Sequence, residues 1–292
     1  MVLRTALVGL DLSDVSRALV EWLPNLQRIG TTRVILFHAI PPEKLEHVAG
    51  YPVDRLEEEL TREALEKLRA YAEMLAGRGF DEVEVHEPRV GEPAPLLAEE
   101  AERLGADYIV VADRGKGLLR RIILGSTADE LLNLSRVPVL VAKGFVSGLL
   151  KPRLQVPPSP FEPERPVLAA VEWDEYLEDV KRLTVEVASR TGQRVVLLHV
   201  LEEDEPRDEA SKRLERLAGE LRAAGIDAEP LLLGPGRPDA LIAREAEERR
   251  PGLLVLGRGG GGGLLRGGVA DSVSRRVNRH LMVATRRSQA RG

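Results

Sequence analysis

The sequence predicts an α/β protein made of two tandem copies of one parallel-sheet domain. Three observations carry that expectation. Apolar runs of strand length alternate with helical segments at the spacing of β-α-β units, which favours a parallel sheet with helices on both faces. The alternation breaks once, between Gly144 and Pro166, where six prolines stand without any helical or strand period. It then restarts with matching residues: Val167–Glu172 answers Ala6–Asp11 and Val195–Val200 answers Val34–Ala39, both at an offset of 161. A fixed offset over a whole β-α-β unit is the signature of duplication. The expected division is residues 1–143, a Pro-rich linker at 144–165, and 166–288.

In order, Thr5–Leu10 reads as a buried strand ending at Asp11-Leu12-Ser13-Asp14, with Ser13 or Asp14 as N-cap of a helix through Arg28. Arg33–Ile40 is the second strand, closed by Pro41-Pro42. Leu56–Leu75 places apolar residues at helical spacing among Glu and Arg, and Gly77 to Gly79 ends it. Val83–Val90 reads as the third strand, with a turn at Gly91-Glu92-Pro93 into a helix over Ala94–Leu104. Tyr108–Ala112 is the fourth strand, and Val137–Lys143 the fifth, after a helix that runs through Asn133. In the second copy Pro235–Pro238 answers Val90–Pro93, Leu253–Leu256 answers the fourth strand, Ala270-Asp271 answers Ala128-Asp129, and Leu281–Ala284 answers Val139–Ala142.

Composition narrows the class. Of 292 residues 43% are hydrophobic but only 3% aromatic, so the cores must be aliphatic. A net charge of −5 argues against a general nucleic-acid binder, which needs a basic face. The chain has no cysteine, which excludes disulfides and thiolate metal sites and suits a reducing compartment. The opening Met1-Val2-Leu3-Arg4 leads straight into a strand, and no apolar run reaches the ~20 residues of a membrane span. A cytoplasmic protein with no membrane partner is expected.

The candidate site is the loop after the fourth strand. Asp113-Arg114-Gly115-Lys116-Gly117 follows Ala112, and Gly125-Ser126-Thr127 opens the next helix. A strand that delivers glycine-flanked N–H groups beside a helix N-terminus makes an anion site, most often for phosphate. Glycine lets the backbone approach phosphate closely, and Ser126 can offer a hydroxyl and an N–H together. Arg114, Lys116 and Arg120 can add charge-assisted contacts, or form a solvated loop surface. The same glycines also fit a tight strand-to-helix turn that binds nothing. Asp11 can serve as a helix cap and a ligand contact at once. His38 and His199, each alone on an apolar strand, read as satisfied, partly buried histidines. The Glu/Arg-rich segments Leu56–Leu75 and Glu205–Arg222 read as solvated helix faces carrying i,i+4 pairs.

These pieces together resemble the universal stress protein family, in a tandem two-domain form. The family's nucleotide-binding members carry Gly-x2-Gly-x9-Gly-Ser/Thr after the fourth strand; here the positions read Ala112-x2-Gly115-x9-Gly125-Ser126. The leading glycine is an alanine. The resemblance implies flavodoxin-like, Rossmann-like domains of the adenine nucleotide alpha hydrolase type, with strand order 3-2-1-4-5 and pairing through the fifth strands. It implies an ATP or AMP site, with or without Mg²⁺, in which Asp11 lies near base and ribose and the backbone of Ala39 reads the adenine. Gly91 would form the turn after the third strand, and Gly115, Gly125 and Ser126 would hold the phosphates; Lys116 and Thr127 beside them are further candidate binding residues. The second half departs further. Gly257-x2-Gly260 is kept, but the loop is shorter, Gly268 replaces the serine, Glu172 replaces the aspartate, and Gly259–Gly263 costs more entropy to order. That half is expected to be empty or weak.

No nucleophile–base set, zinc motif, Walker lysine–serine pair or dinucleotide fingerprint is present in the sequence. The chain therefore reads as a nucleotide-binding regulatory or stress-response protein rather than an enzyme. The alternatives are a nucleotide-independent interaction module, and a slow ATP-hydrolysing switch. A homo-oligomer is compatible with either.

Overall fold

The computed structural model describes residues 2–46, 52–113, 126–147, 153–258 and 268–285. In the first half the strands are β1 (Thr5–Gly9), β2 (Arg33–Phe37), β3 (Glu82–Val85), β4 (Tyr108–Ala112) and β5 (Val139–Ala142), and the principal helices α1 (Asp14–Trp22), α2 (Val53–Leu75), α3 (Pro93–Arg103) and α4 (Ser126–Leu134). The second half repeats them as β6 (Val167–Ala170), α5 (Leu177–Thr191), β7 (Val195–Val200), α6 (Arg207–Ala223), β8 (Ala228–Leu233), α7 (Pro238–Arg249), β9 (Leu253–Gly257), α8 (Val269–Arg276) and β10 (His280–Ala284).

All ten strands form one sheet, ordered β8-β7-β6-β9-β10-β5-β4-β1-β2-β3. Pairing is parallel within each half. Only the central join is antiparallel, where β10 meets β5 with Leu281 opposite Val141, Met282 opposite Leu140 and Val283 opposite Val139. The registers also fix the correspondence of the fourth strands. Gly9 lies opposite Val111 and Ala170 opposite Leu256, so Asp113 corresponds to Arg258 and Ala112 to Gly257.

Parallel strands covered on both faces read as near-continuous apolar runs, because both sides of the pleat are buried. Alternate residues therefore feed two cores. Ala6, Val8, Val34, Leu36, Tyr108 and Val110 face one core with Leu19 of α1 and Leu68 of α2. Leu7, Ile35, Phe37, Ile109 and Val111 face the other with Leu96 and Leu97 of α3 and Leu131 of α4. Each core continues through the second half, so burial couples the halves on both sides of the sheet.

Prolines account for the departures from the expected elements. The first helix is α only to Trp22; Pro24, which lacks an amide hydrogen, opens a 3₁₀ turn over Leu23–Ile29 that Gly30 closes. The expected strand Val83–Val90 is two pieces: β3 ends at Val85, and beyond Pro88 the pair Arg89–Val90 lies against Ala39–Ile40. Pro230 is accommodated in β8 because β8 is an edge strand. The Pro-rich connection carries more structure than its composition suggests. Val146–Ser147 pairs antiparallel with Arg153–Leu154, and Phe145 and Phe161 are buried. Gln193 fixes it from the second half, donating from Nε2 to the carbonyls of Pro160 at 2.9 Å and Arg165 at 2.7 Å.

Candidate functional site

A cavity of about 440 Å³ opens at the carboxyl ends of β1, β2 and β4. Ligand sites of open α/β sheets lie at this place, where the strand order changes direction. The topology supplies the walls. β1 delivers Gly9, Leu10 and Asp11, the end of β2 delivers His38 and Ala39, β4 delivers Val111 and Ala112, and α4 brings Ser126 and Thr127. The sequence-derived residues Asp11, Ala39, Ala112, Ser126 and Thr127 thus converge on one space. Gly91 does not line it, though its neighbours Glu92 and Pro93 do. Gly115, Lys116 and Gly125, with Arg114 and Arg120, lie outside the described residues.

Asp11 is held by its own loop. Its Oδ1 accepts from the Ser13 N–H at 3.0 Å and the Ser13 hydroxyl at 2.6 Å, and from the Ser16 hydroxyl, while its N–H donates to Ser16 Oγ at 2.9 Å. This closed turn forces Leu12 to φ +63°, a left-handed conformation that a non-glycine residue adopts at a cost of about 1 kcal/mol or more. Ser13 is the N-cap residue of α1 by position, but its hydroxyl serves Asp11 rather than the helix. The helix-cap role considered for Asp11 is thereby replaced by an organising role for the loop. His38 is buried, donates from Nδ1 to the Leu10 carbonyl at 2.7 Å, and its imidazole is biased toward the neutral form, chiefly by burial. Lys44 and Glu43, which no motif flagged, also line the cavity. Only the two prolines that turn the chain after β2 hinted at their position.

Gly91 has a backbone reason for being glycine. Its φ is +154°, an added Cβ would lie 2.8 Å from Leu96 Cδ1, and its N–H donates to the Ile40 carbonyl at 3.0 Å. It shapes the turn that starts α3 and so sets the wall formed by Glu92 and Pro93.

The second half has a cavity of its own, about 460 Å³, at the carboxyl ends of β6, β7 and β9. Because β5 and β10 are antiparallel, the two cavities open at opposite ends of the sheet. The lining chemistry differs. Glu172, Asp174, Glu202 and Glu205 face this cavity, against Arg213 and His199. Burial raises the Glu172 pKa, and Asp174 and Glu202 push it further the same way, against His199. Both ring nitrogens of His199 meet oxygens, Nδ1 the Val171 carbonyl and Nε2 the Glu205 carboxylate, each at 2.8 Å. Trp173 also donates to Glu205, from Nε1 at 2.8 Å, and lies 4.7 Å from the His199 ring. The sequence singled out Glu172 and His199 of this set; Trp173, Asp174, Glu202 and Glu205 lie on two loops and Arg213 on a helix that the topology folds back. The five-glycine run lies outside the described residues. Among the described residues no group of three or more His, Cys, Asp or Glu is placed to hold a metal ion.

Fold and cavities define a doubly wound α/β protein with a ligand-sized hollow at the strand ends of each half. The model of the universal stress protein family matches residues 3–143 and again 164–284, and the chain belongs to that family. It is 28% identical over 306 residues to a universal stress protein of Mycolicibacterium smegmatis, covering 95% of each chain. Its fold is similar to that of a universal stress protein from Archaeoglobus fulgidus, with a TM-score of 0.77 and 23% identity over 98% of this chain and 97% of that one. Another Archaeoglobus fulgidus universal stress protein, solved in complex with dAMP, aligns over 41% of this chain and 98% of its own at a TM-score of 0.35 and 25% identity. Among the described residues no helix is long and apolar enough to cross a membrane.

Proposed function

We propose that the first-half cavity binds an adenine nucleotide, ATP or AMP, and that the chain acts in the cytoplasm as a nucleotide-responsive regulatory protein. The observation that carries this reading is the convergence of Asp11, Ala39, Ala112, Ser126 and Thr127 on a hollow of about 440 Å³, within the usual size range of small-ligand sites. Each group has a fitting role. The Asp11 carboxylate suits ribose hydroxyls, and the backbone of Ala39, on the short stretch beyond β2 that lies against Arg89–Val90, suits a base. Ser126 and Thr127 sit in the first turn of α4, where N–H groups and the helix dipole favour phosphate. Gly115, Lys116 and Gly125 complete the phosphate loop in this reading, and Mg²⁺, if used, would ride on the nucleotide.

The second cavity is disfavoured for the same ligand. Four carboxylates around it oppose a polyphosphate. Calorimetric titration with ATP and with AMP should give one saturable site per chain. Ser126→Ala and Asp11→Asn should each weaken binding about tenfold, the loss of roughly 1.4 kcal/mol, while Glu172→Gln should leave it unchanged. Absence of saturable binding, with and without Mg²⁺, sinks the proposal.

A further inference from the structure

Helices α4 and α8 meet across the join of the two halves, and each presents an aspartate from its first turn at corresponding positions, Asp129 and Asp271. A single guanidinium nitrogen, Nη2 of Arg275, lies 2.8 and 2.7 Å from the two Asp129 oxygens and 2.9 Å from Asp271 Oδ2. That nitrogen carries two hydrogens and faces three carboxylate oxygens, so it cannot satisfy them all. Asp271 is 8% exposed, and its Oδ1 is buried without a hydrogen-bond donor. Two carboxylates packed this closely around one cation leave an excess negative charge, which is costly at the buried Asp271. One proton removes both problems: it brings the cluster to neutrality and gives the acid pair a hydrogen bond.

We propose that Asp129 and Asp271 share one proton across the seam between the halves, and that this proton fastens α4 to α8, so that the seam loosens as the medium becomes alkaline. The proton comes from solvent and returns to it. Asp271 is the holder. Burial raises its pKa, and the hydrogen bond and charge of Asp129 raise it further against Arg275, up to about 7. Asp129 moves the other way: burial alone would raise it, but hydrogen bonds from Asp271 and Arg275 outweigh that and keep it ionised. The charges on the elements packed around the pair are engaged elsewhere. From α7, Asp239 takes the Ser272 hydroxyl at 2.7 Å, Arg276 at 2.9 Å and Arg237 at 3.0 Å. From α3, Glu102 pairs with Arg136 at 3.4 Å. An acid whose folded pKa is raised stabilises in full below its unfolded value, near 3.8, and that stabilisation is lost as pH rises through about 7.

The inference does not depend on nucleotide. Melting midpoints of the nucleotide-free full chain should be recorded from pH 5.5 to 8.5 for wild type, Asp271→Asn and Asp129→Asn. Either asparagine supplies a permanent donor to the remaining carboxylate. The wild-type midpoint should fall by about 2–4 °C more than that of either variant. Amide exchange at residues 126–134 and 269–276 should accelerate with pH beyond its intrinsic rate in wild type alone, by up to about tenfold per pH unit. In wild type, carboxyl NMR should show one aspartate titrating near neutrality. Parallel melting profiles, or no aspartate titrating between pH 5.5 and 8.5, would overturn the proposal.

Discussion

Asp11 accepts three hydrogen bonds through one oxygen, and the loop it organises carries a strained Leu12. Asp11→Ala therefore removes a structural knot as well as a candidate ligand contact. It should lower stability by about 1–3 kcal/mol, read by denaturant titration, besides weakening the proposed nucleotide binding. At the corresponding place Glu172 has the opposite problem, a carboxylate buried among carboxylates. Its folded pKa is raised, so the charged form is carried at a cost that grows as pH rises above 4.5. Glu172→Gln should thus stabilise the chain at pH 8 but not at pH 4, checked by thermal melts at both. Gly252 shows what a single missing Cβ permits: an added one would collide with the Pro160 carbonyl oxygen. Gly252→Ala should displace the Pro-rich connection and cost about 1–3 kcal/mol, as overpacking usually does.

At the scale of elements, the two helices beside the seam are capped by each other's half. Lys143, just past β5, is buried and donates from Nζ to the carbonyls of Ser274 and Val277 at the end of α8, the latter at 3.1 Å. Arg258, just past β9, donates to the Ser135 carbonyl at the end of α4. Ser135 and Val277 are corresponding residues, so one capping position is served twice by cations from different strands. Asp113 holds Lys143 at 3.2 Å, and its own counterpart in the second half is Arg258. Burial lowers the Lys143 pKa, and the charge and hydrogen bond of Asp113 oppose that shift. Lys143→Met preserves the stem and leaves two carbonyls without their donor; a loss of about 1–3 kcal/mol is expected, with amide exchange fastest at residues 269–276.

The duplication, the alternation of elements and the place of the first cavity were legible in the sequence because they depend on local pattern: apolar period, offset and the glycine-serine spacing. Asp11 and Ala39 were legible through the family resemblance and Ser126 through the glycine-serine spacing; all three line the first cavity because the ends of parallel strands converge. Lys143, Arg258 and the Asp129–Asp271 pair were not legible, since each acts through a partner more than 120 residues away and carries no local signature. The second cavity was missed for a different reason. No local pattern in the glycine loop reveals that Trp173, Glu202, Glu205 and Arg213, from two loops and a helix, frame a hollow of similar size.

For the whole molecule, one sheet and two continuous cores should make the halves melt together. A single calorimetric transition is expected at pH 6, and Leu140→Glu, which buries a charge at the centre of the join, should abolish it rather than split it. The reversal of direction at β5 and β10 also limits the valency of whatever the chain binds. Its hollows open at opposite ends of the strands and lie about four strand spacings apart in the sheet, roughly 19 Å at ~4.8 Å per strand. A short two-headed ligand cannot fill both, and occupancy of one lends no effective concentration to the other. A ligand in one hollow would therefore not compete sterically with a ligand in the other, and any conversation between the two places has to pass through the protein.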